Sequence, residues 1–380
     1  MSEKEKKQRT VRLPNVFEAL LPIVVMLGLM LYHFMAGTSY GDAHMPLLVS
    51  IVVACIIGCI CGHSFSDMMA GMLDCLNRTM EAILILCTVG ILVASFIMSG
   101  TIPALIYYGL DLLTPKLFLP VGCILCAVVG LACGSSWTTT ATIGIAFMGI
   151  GAGLGMPVAL TAGMIISGAY VGDKFSPLSD TTNLAAAVSE TGLFDHVTAM
   201  VSTTAPTFVI ALVLYTIIGF GYSTTGYDNT VALELQQALA GGYNLNPVLL
   251  LPIVVVVVVC VLKLPALPGL AISVGCGVLF GAVFQGITNV SDIFNILHYG
   301  TTFESSNELA NNLLSRGGMD HQMWTINLIL LAVAYGGALE RCGCVETLFS
   351  GIKSKIHNVG GLVVLTLVTS LFCDATMCDQ

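Results

Sequence analysis

The chemistry-bearing side chains of this chain crowd into one short stretch, Asp173-Lys-Phe-Ser-Pro-Leu-Ser-Asp-Thr-Thr-Asn183. It holds two carboxylates (Asp173, Asp180), one cation (Lys174), four hydroxyls (Ser176, Ser179, Thr181, Thr182), the amide of Asn183 and a helix-breaking proline. Carboxylate, hydroxyl and amide oxygens are hard ligands that suit a small cation. A second run, Gly134-Ser-Ser-Trp-Thr-Thr-Thr-Ala-Thr142, supplies Ser135, Ser136, Thr138, Thr139, Thr140 and Thr142. Hydroxyls on a broken membrane helix either replace ion hydration or satisfy backbone groups freed by the break. Asp180 before Thr-Thr-Asn-Leu-Ala-Ala-Ala also reads as a helix N-cap, a role compatible with a site. Asp173 has a local ion pair with Lys174 as its simplest alternative role.

These residues must be positioned by membrane helices. Hydrophobic residues make up 56% of the chain, charged residues 9%, and mean hydropathy is +0.92. A soluble domain carries about 25% charged residues. The chain therefore reads as an all-α polytopic membrane protein. Irregular backbone at membrane depth is tolerated only where it is buried in protein or lines a cavity, and charge there marks an ion or substrate path. Five of the 13 Lys and Arg (Lys4, Lys6, Lys7, Arg9, Arg12) lie in a basic tail, residues 1–13, which places the N-terminus in the cytoplasm of a multi-pass protein of the cytoplasmic membrane. The segment that follows is too long for a cleavable signal. Most of the 14 cysteines, Cys55, Cys59, Cys87, Cys123, Cys126, Cys133, Cys260 and Cys276 among them, lie in apolar runs and read as small hydrophobes.

Spans are expected at about Val16–Met35, Met45–Cys61, Ala82–Met98, Leu117–Cys133 and Phe194–Phe220, with an apolar stretch from Met156 to Val171. The segment from His63 to Glu81 is too polar to span and predicts an interfacial or re-entrant helix or, equally, a loop helix packed on the bundle. Residues 221–246 carry Asp228 and Glu234 without Lys or Arg and read as a solvated extracytoplasmic linker. A first transmembrane repeat (14–220) and a second (247–380) follow from ordered echoes. Leu21-Pro-Ile-Val-Val25 returns as Leu251-Pro-Ile-Val-Val255, and Ser66-Asp67 as Ser291-Asp292. Further spans are expected at Met323–Leu339 and Val359–Phe372. Arg341, Lys353 and Lys355 put the loop after residue 339 inside, whereas its counterpart, Thr101–Pro115, falls outside. Opposite sidedness predicts two inverted repeats whose broken or re-entrant helices meet at the midplane. Cys373-Asp374-Ala375 aligns with Cys133-Gly134-Ser135, so Asp374 and Thr376 are expected to open a second broken segment. A complete second repeat would need roughly 80–110 residues beyond Gln380, so the second repeat is expected to be incomplete in this chain.

Gly134-Ser-Ser-Trp-Thr-Thr139, Gly149-Ile-Gly-Ala-Gly-Leu-Gly-Met-Pro157 and Gly172-Asp-Lys-Phe-Ser-Pro-Leu-Ser-Asp-Thr-Thr-Asn183 closely resemble the NhaC-type sodium/proton antiporters. That family belongs to the ion-transporter superfamily and includes malate/lactate exchangers. The likeness runs along the chain and is most specific over residues 134–196; Cys373–Cys378 departs from the Gly- and Thr-rich pattern expected there. The resemblance implies Na+ and H+ as transported ions, no cofactor, and exchange by competition at one buried carboxylate. Asp180 is the first choice for that group, with Thr181, Thr182, Asn183, Ser176 and Ser179 as oxygen ligands; Asp173 is the second. Lys174 is the expected anion contact if malate or lactate is exchanged instead. Glu190, Asp195 and His196 read as a solvated loop or, alternatively, a pH-sensing approach to the site. The expected partners are these ions, the lipid bilayer and a second copy in a homodimer. No phosphate-binding glycine loop, hydrolase motif or basic stripe is present, which argues against an ATP-driven pump, an enzyme and a nucleic-acid binder.

Overall fold

The computed structural model describes residues 11–37, 43–177, 179–224, 230–262, 264–353 and 359–376. The turn at Asp42, Asp228 and Lys355 lie outside the described residues, as do the side chains of Asp180, Asp374 and Thr376. Among the described residues, regular structure is entirely helical. In chain order the helices are α1 (Val16–Met35), α2 (His44–Ile60), α3 (Phe65–Met98), α4 (Thr101–Leu112), α5 (Pro115–Cys133), α6 (Ser136–Thr139), α7 (Ile145–Gly153), α8 (Val158–Phe175) and α9 (Asp180–Val188). They continue with α10 (Leu193–Thr224), α11 (Thr230–Gly242), α12 (Leu251–Val261), α13 (Ala266–Phe284), α14 (Val290–Tyr299), α15 (Glu308–Leu314), α16 (Met323–Arg341), α17 (Cys344–Lys353) and α18 (Val359–Thr376). Six helices among the described residues are long and apolar enough to cross a membrane, or up to seven if the bent pair Thr230–Gly242 and Pro247–Val259 counts as one span.

The chain divides into two compact units. One comprises residues 1–83 and 323–380, the other residues 84–322. In the first, α1 packs on α2 and α17, and α2 packs on α16. Its core includes Ala19, Ile23, Leu47, Ala54, Met68 and Tyr335. Helix α1 starts on a reciprocal cap. Asn15 Oδ1 accepts from the Glu18 N–H at 2.9 Å, and the Glu18 carboxylate accepts from the Asn15 N–H at 2.7 Å. In the second unit, α5 and α8 form the central pair, with α10 against both. Phe118, Leu119, Ile150 and Met164 are fully buried around them.

Three expectations change. The polar segment from His63 is the first half of one unbroken helix, α3, rather than a separate interfacial or re-entrant element. Its Asp67 sits in the first turn, where a carboxylate favours helix formation, and accepts from the Ser64 N–H and hydroxyl. Residues 230–242 of the expected linker form α11, which buries Ala232, Leu235 and Leu239 and packs on α4. Those positions repeat at helical spacing. Finally, α18 stays helical through Thr376. Its Asp374 stands where Gly134 breaks the first half, and a non-glycine residue adopts the left-handed cap conformation at a cost.

Candidate functional site

The polar residues are brought together by the close approach of α5 and α8. Gly168 and Gly172 lie one helical turn apart on α8, facing α5. A Cβ on Gly168 would stand 2.3 Å from the Cys123 carbonyl oxygen, and one on Gly172 would stand 2.2 Å from that of Ala127. Between membrane helices the gain comes from such small-residue packing, since lipid tails remove the hydrophobic drive. Cys123 and Cys126 are fully buried here, as the small apolar residues the sequence suggested.

The approach aligns the end of α8 with the break after α5. Helix α5 stops at Gly134, whose left-handed backbone (φ 63°) donates its N–H to Gly130. Ser135 is extended (φ −152°, ψ 115°) and caps α6, its hydroxyl oxygen accepting from the Thr138 N–H at 3.2 Å. The next N–H, that of Ser136, donates to Asp173 Oδ2 at 3.1 Å. Asp173 is 8% exposed, and its other oxygen, Oδ1, is buried with no hydrogen-bond partner among the described residues. No ion pair joins it to Lys174, which points to the exposed side. The local alternative for Asp173 is therefore not the arrangement found. A buried carboxylate oxygen without a partner is costly to leave unmet.

The hydroxyls nearby are mostly occupied with their own backbone. Thr139 and Thr140 donate to the carbonyls of Ser135 and Ser136, at 2.9 and 2.8 Å, and Thr142 donates to Thr138 at 2.7 Å. Residues 140–144 form a π-helical turn between α6 and α7. Such turns disturb the i→i−4 ladder, but the Ser135 and Ser136 carbonyls also take the Thr139 and Thr140 N–H groups, so these threonine bonds are ordinary back-bonds to i−4. In this run the Thr139, Thr140 and Thr142 hydroxyls bond backbone carbonyls.

The loop from α8 to α9 is stitched in the same way. The Ser176 N–H donates to the Asp173 carbonyl and the Ser179 N–H to that of Ser176. The Ser179 hydroxyl meets that of Thr181 at 2.9 Å and accepts from the Thr182 N–H at 3.4 Å. Thr182 Oγ1 donates to the Lys174 carbonyl at 3.2 Å, and Asn183 Nδ2 donates to the carbonyls of Pro177 and Ser179. Ser176, Ser179 and Thr182 are buried, while Thr181 and Asn183 are exposed. Asp180 opens α9. Of the residues read as the site, Asp173, Ser176, Ser179, Asp180, Thr181, Thr182, Asn183, Ser135, Ser136, Thr138 and Thr142 lie in one unit, whereas Asp374 and Thr376 belong to the other. Glu190 and Asp195 are exposed and His196 is half-buried. One polar link went unread: the Ser167 hydroxyl lies 2.9 Å from that of Tyr215 and ties α8 to α10. A single tyrosine in an apolar span gave no pattern to find it by.

Comparison with known proteins adds a second line of evidence. The sequence model of the Na+/H+ antiporter family matches residues 168–380. The malate-2H(+)/Na(+)-lactate antiporter of Bacillus subtilis (strain 168) is 34% identical over 372 residues, covering 97% of this chain and 78% of that protein. The Na(+)/H(+) antiporter NhaC of Alkalihalophilus pseudofirmus is 36% identical over 339 residues, 89% of this chain and 73% of that protein. The arginine/ornithine antiporter ArcD of Halobacterium salinarum is 38% identical over 371 residues, 97% of this chain and 76% of that protein. No solved structure matches the chain.

Proposed function

This chain belongs to the Na+/H+ antiporter family, and we propose that its exchange of Na+ for H+ turns on the carboxyl of Asp173. The observation that carries this is the division of labour within one side chain. Oδ2 is anchored by the Ser136 N–H at 3.1 Å, and Oδ1 is buried and unpartnered. A proton placed on Oδ1 leaves Oδ2 as a carbonyl acceptor, so the Ser136 bond survives protonation. Na+ bound at Oδ1 leaves it intact too. The two ions then replace each other at a fixed position and cannot both occupy it. The oxygens we propose as further Na+ ligands are the hydroxyls of Ser135, Ser136, Ser176 and Ser179 and the carbonyls of the two breaks. Asp180, with Thr181, Thr182 and Asn183, is the second candidate. Exchange without a bond-making step makes this a transporter rather than an enzyme.

In this reading the two halves, 14–220 and 247–380, are inverted repeats that alternate access to the site from the two faces of the cytoplasmic membrane. The basic tail lies on the cytoplasmic side, and the protein pairs as a homodimer. The test uses the full chain in proteoliposomes with an internal pH dye and an imposed Na+ gradient. Proton movement is expected to follow Na+, to be absent in Asp173→Asn, and to persist in Asp173→Glu at a reduced rate. Unchanged exchange in Asp173→Asn together with its loss in Asp180→Asn would move the site to Asp180. A relative named for malate and lactate supports one alternative, organic anion exchange coupled to Na+ or H+, with the exposed Lys174 as the anion contact. Proton movement that waits for added malate or lactate, and fails in Lys174→Gln, would select it.

A further inference from the structure

Far along the chain from the ion site, the turn joining α16 to α17 reads Arg341-Cys-Gly-Cys344. Gly343 has a left-handed backbone (φ 77°) and folds the two cysteines toward each other. Their sulfurs lie 3.0 Å apart, and both residues are buried, at 1% and 0% exposure. Free thiols gain little from such a contact, because S–H is a weak donor and sulfur a weak acceptor. A disulfide sulfur pair lies about 2 Å apart, so bonding needs a closure of only about 1 Å.

We propose that Cys342 and Cys344 form a peroxide-sensitive dithiol that closes to an intrachain disulfide in the turn between α16 and α17. The cover over the turn fits this use. Leu13 and Pro14 lie against Gly343, the Thr347 hydroxyl donates to the Pro14 carbonyl at 3.0 Å, and the Arg12 N–H donates to the Cys61 carbonyl at 2.9 Å. The segment before α1 is thus a lid made of a few hydrogen bonds over a buried thiol pair. A reagent as small as hydrogen peroxide needs far less opening than a bulky alkylator.

The chemistry balances with one peroxide. The Cys342 thiolate attacks a peroxide oxygen and the O–O bond breaks. The departing hydroxide takes up the thiol's proton as water and leaves a sulfenic acid on Cys342. The Cys344 sulfur then attacks the Cys342 sulfur, the S–O bond breaks, and hydroxide leaves with the Cys344 proton as a second water. Two thiol sulfurs are oxidised and the two peroxide oxygens are reduced. Cys342 is assigned the first step because the hydrogen bond with Cys344 holds its thiol below the ordinary range, while the same bond together with burial holds Cys344 above it.

The sequence makes the test direct. Trypsin cuts after Arg341 and Lys353, releasing Cys342–Lys353 with both cysteines and no others. Membranes holding the full chain are treated with hydrogen peroxide, quenched with N-ethylmaleimide and digested. The peptide is expected to be lighter by two hydrogens and unlabelled, and to take up two maleimides only after reduction. In Cys344→Ser, dimedone should label Cys342 as a sulfenic acid, and in Cys61→Ser the disulfide should form as in the wild type. Two maleimides without prior reduction, a mixed disulfide to another peptide, or loss of the closure in Cys61→Ser would each overturn the proposal. The readout is a mass and does not depend on which ions the chain exchanges.

Discussion

Replacing Gly172 by alanine tests whether helix packing sets the ion site. The added Cβ would lie 2.2 Å from the Ala127 oxygen and 2.7 Å from the Leu131 nitrogen. Both are backbone atoms of α5 and cannot rotate aside. Ordinary contact begins at 3.4 Å, so the helices must separate by about 1 Å, and such overpacking costs about 1–3 kcal/mol. Asp173 is the next residue. If it moves with α8, its bond to the Ser136 N–H stretches from 3.1 Å to about 4 Å, past hydrogen-bond range. A misplacement of about 1 Å at a reacting group costs on the order of 100-fold in rate, and a comparable loss of Na+-driven proton movement is expected. Gly275 in α13 is the matched control, because a Cβ there meets nothing within 4 Å. Gly275→Ala should exchange normally and gain up to about 1 kcal/mol from helix propensity. Thermal unfolding in detergent and dye-reported exchange in proteoliposomes measure both effects. Gly172→Ala with normal exchange would refute the link from packing to site, even if its Tm fell.

Two further outcomes follow from the same geometry, beside those stated for Asp173 and for the cysteine pair. Ser135→Ala removes the acceptor for the Thr138 N–H and should cost about 0.5–2 kcal/mol, while Ser135→Asn should recover most of it; unfolding midpoints that leave Ser135→Ala at wild type would show the cap to be idle. On α10, Val209, Ile210, Val213, Leu214 and Ile217 are all more than half exposed, as residues facing lipid are. Val213→Asp should therefore lower the membrane-inserted fraction, by about 2.5–3.5 kcal/mol on an insertion scale, and Val213→Leu should not; normal insertion of Val213→Asp would mean that protein or water, not lipid, covers that face.

The sequence made the spans legible because membrane helices announce themselves by length and apolarity, and α1 falls on its expected bounds, Val16–Met35. The break at Gly134 was legible because few residue types tolerate its backbone. What stayed hidden depended on partners distant in the chain. Asp173 and Asp180 are each followed by polar residues, and nothing in either neighbourhood says which carboxylate meets an N–H on another helix. The 37-residue separation of Ser136 and Asp173 is closed only by the α5–α8 contact. Helix α11 was legible only in the helical spacing of Ala232, Leu235 and Leu239, a short stripe within a segment read as a solvated linker.

The hydroxyl-rich breaks and the unmet oxygen of Asp173 belong to one physical argument. A broken helix frees backbone groups that lipid cannot satisfy. Here the freed Thr138 N–H is met locally by Ser135, and Thr139, Thr140 and Thr142 add hydroxyl donors at helix carbonyls. A site that met its own backbone with a transported ion would come apart each time the ion left. In this arrangement the breaks hold without cargo, and the demand for a cation or a proton is proposed to fall on Oδ1 of Asp173. In the mechanism proposed here, that separation of scaffold from binding atom lets Na+ and H+ exchange without refolding the site between them.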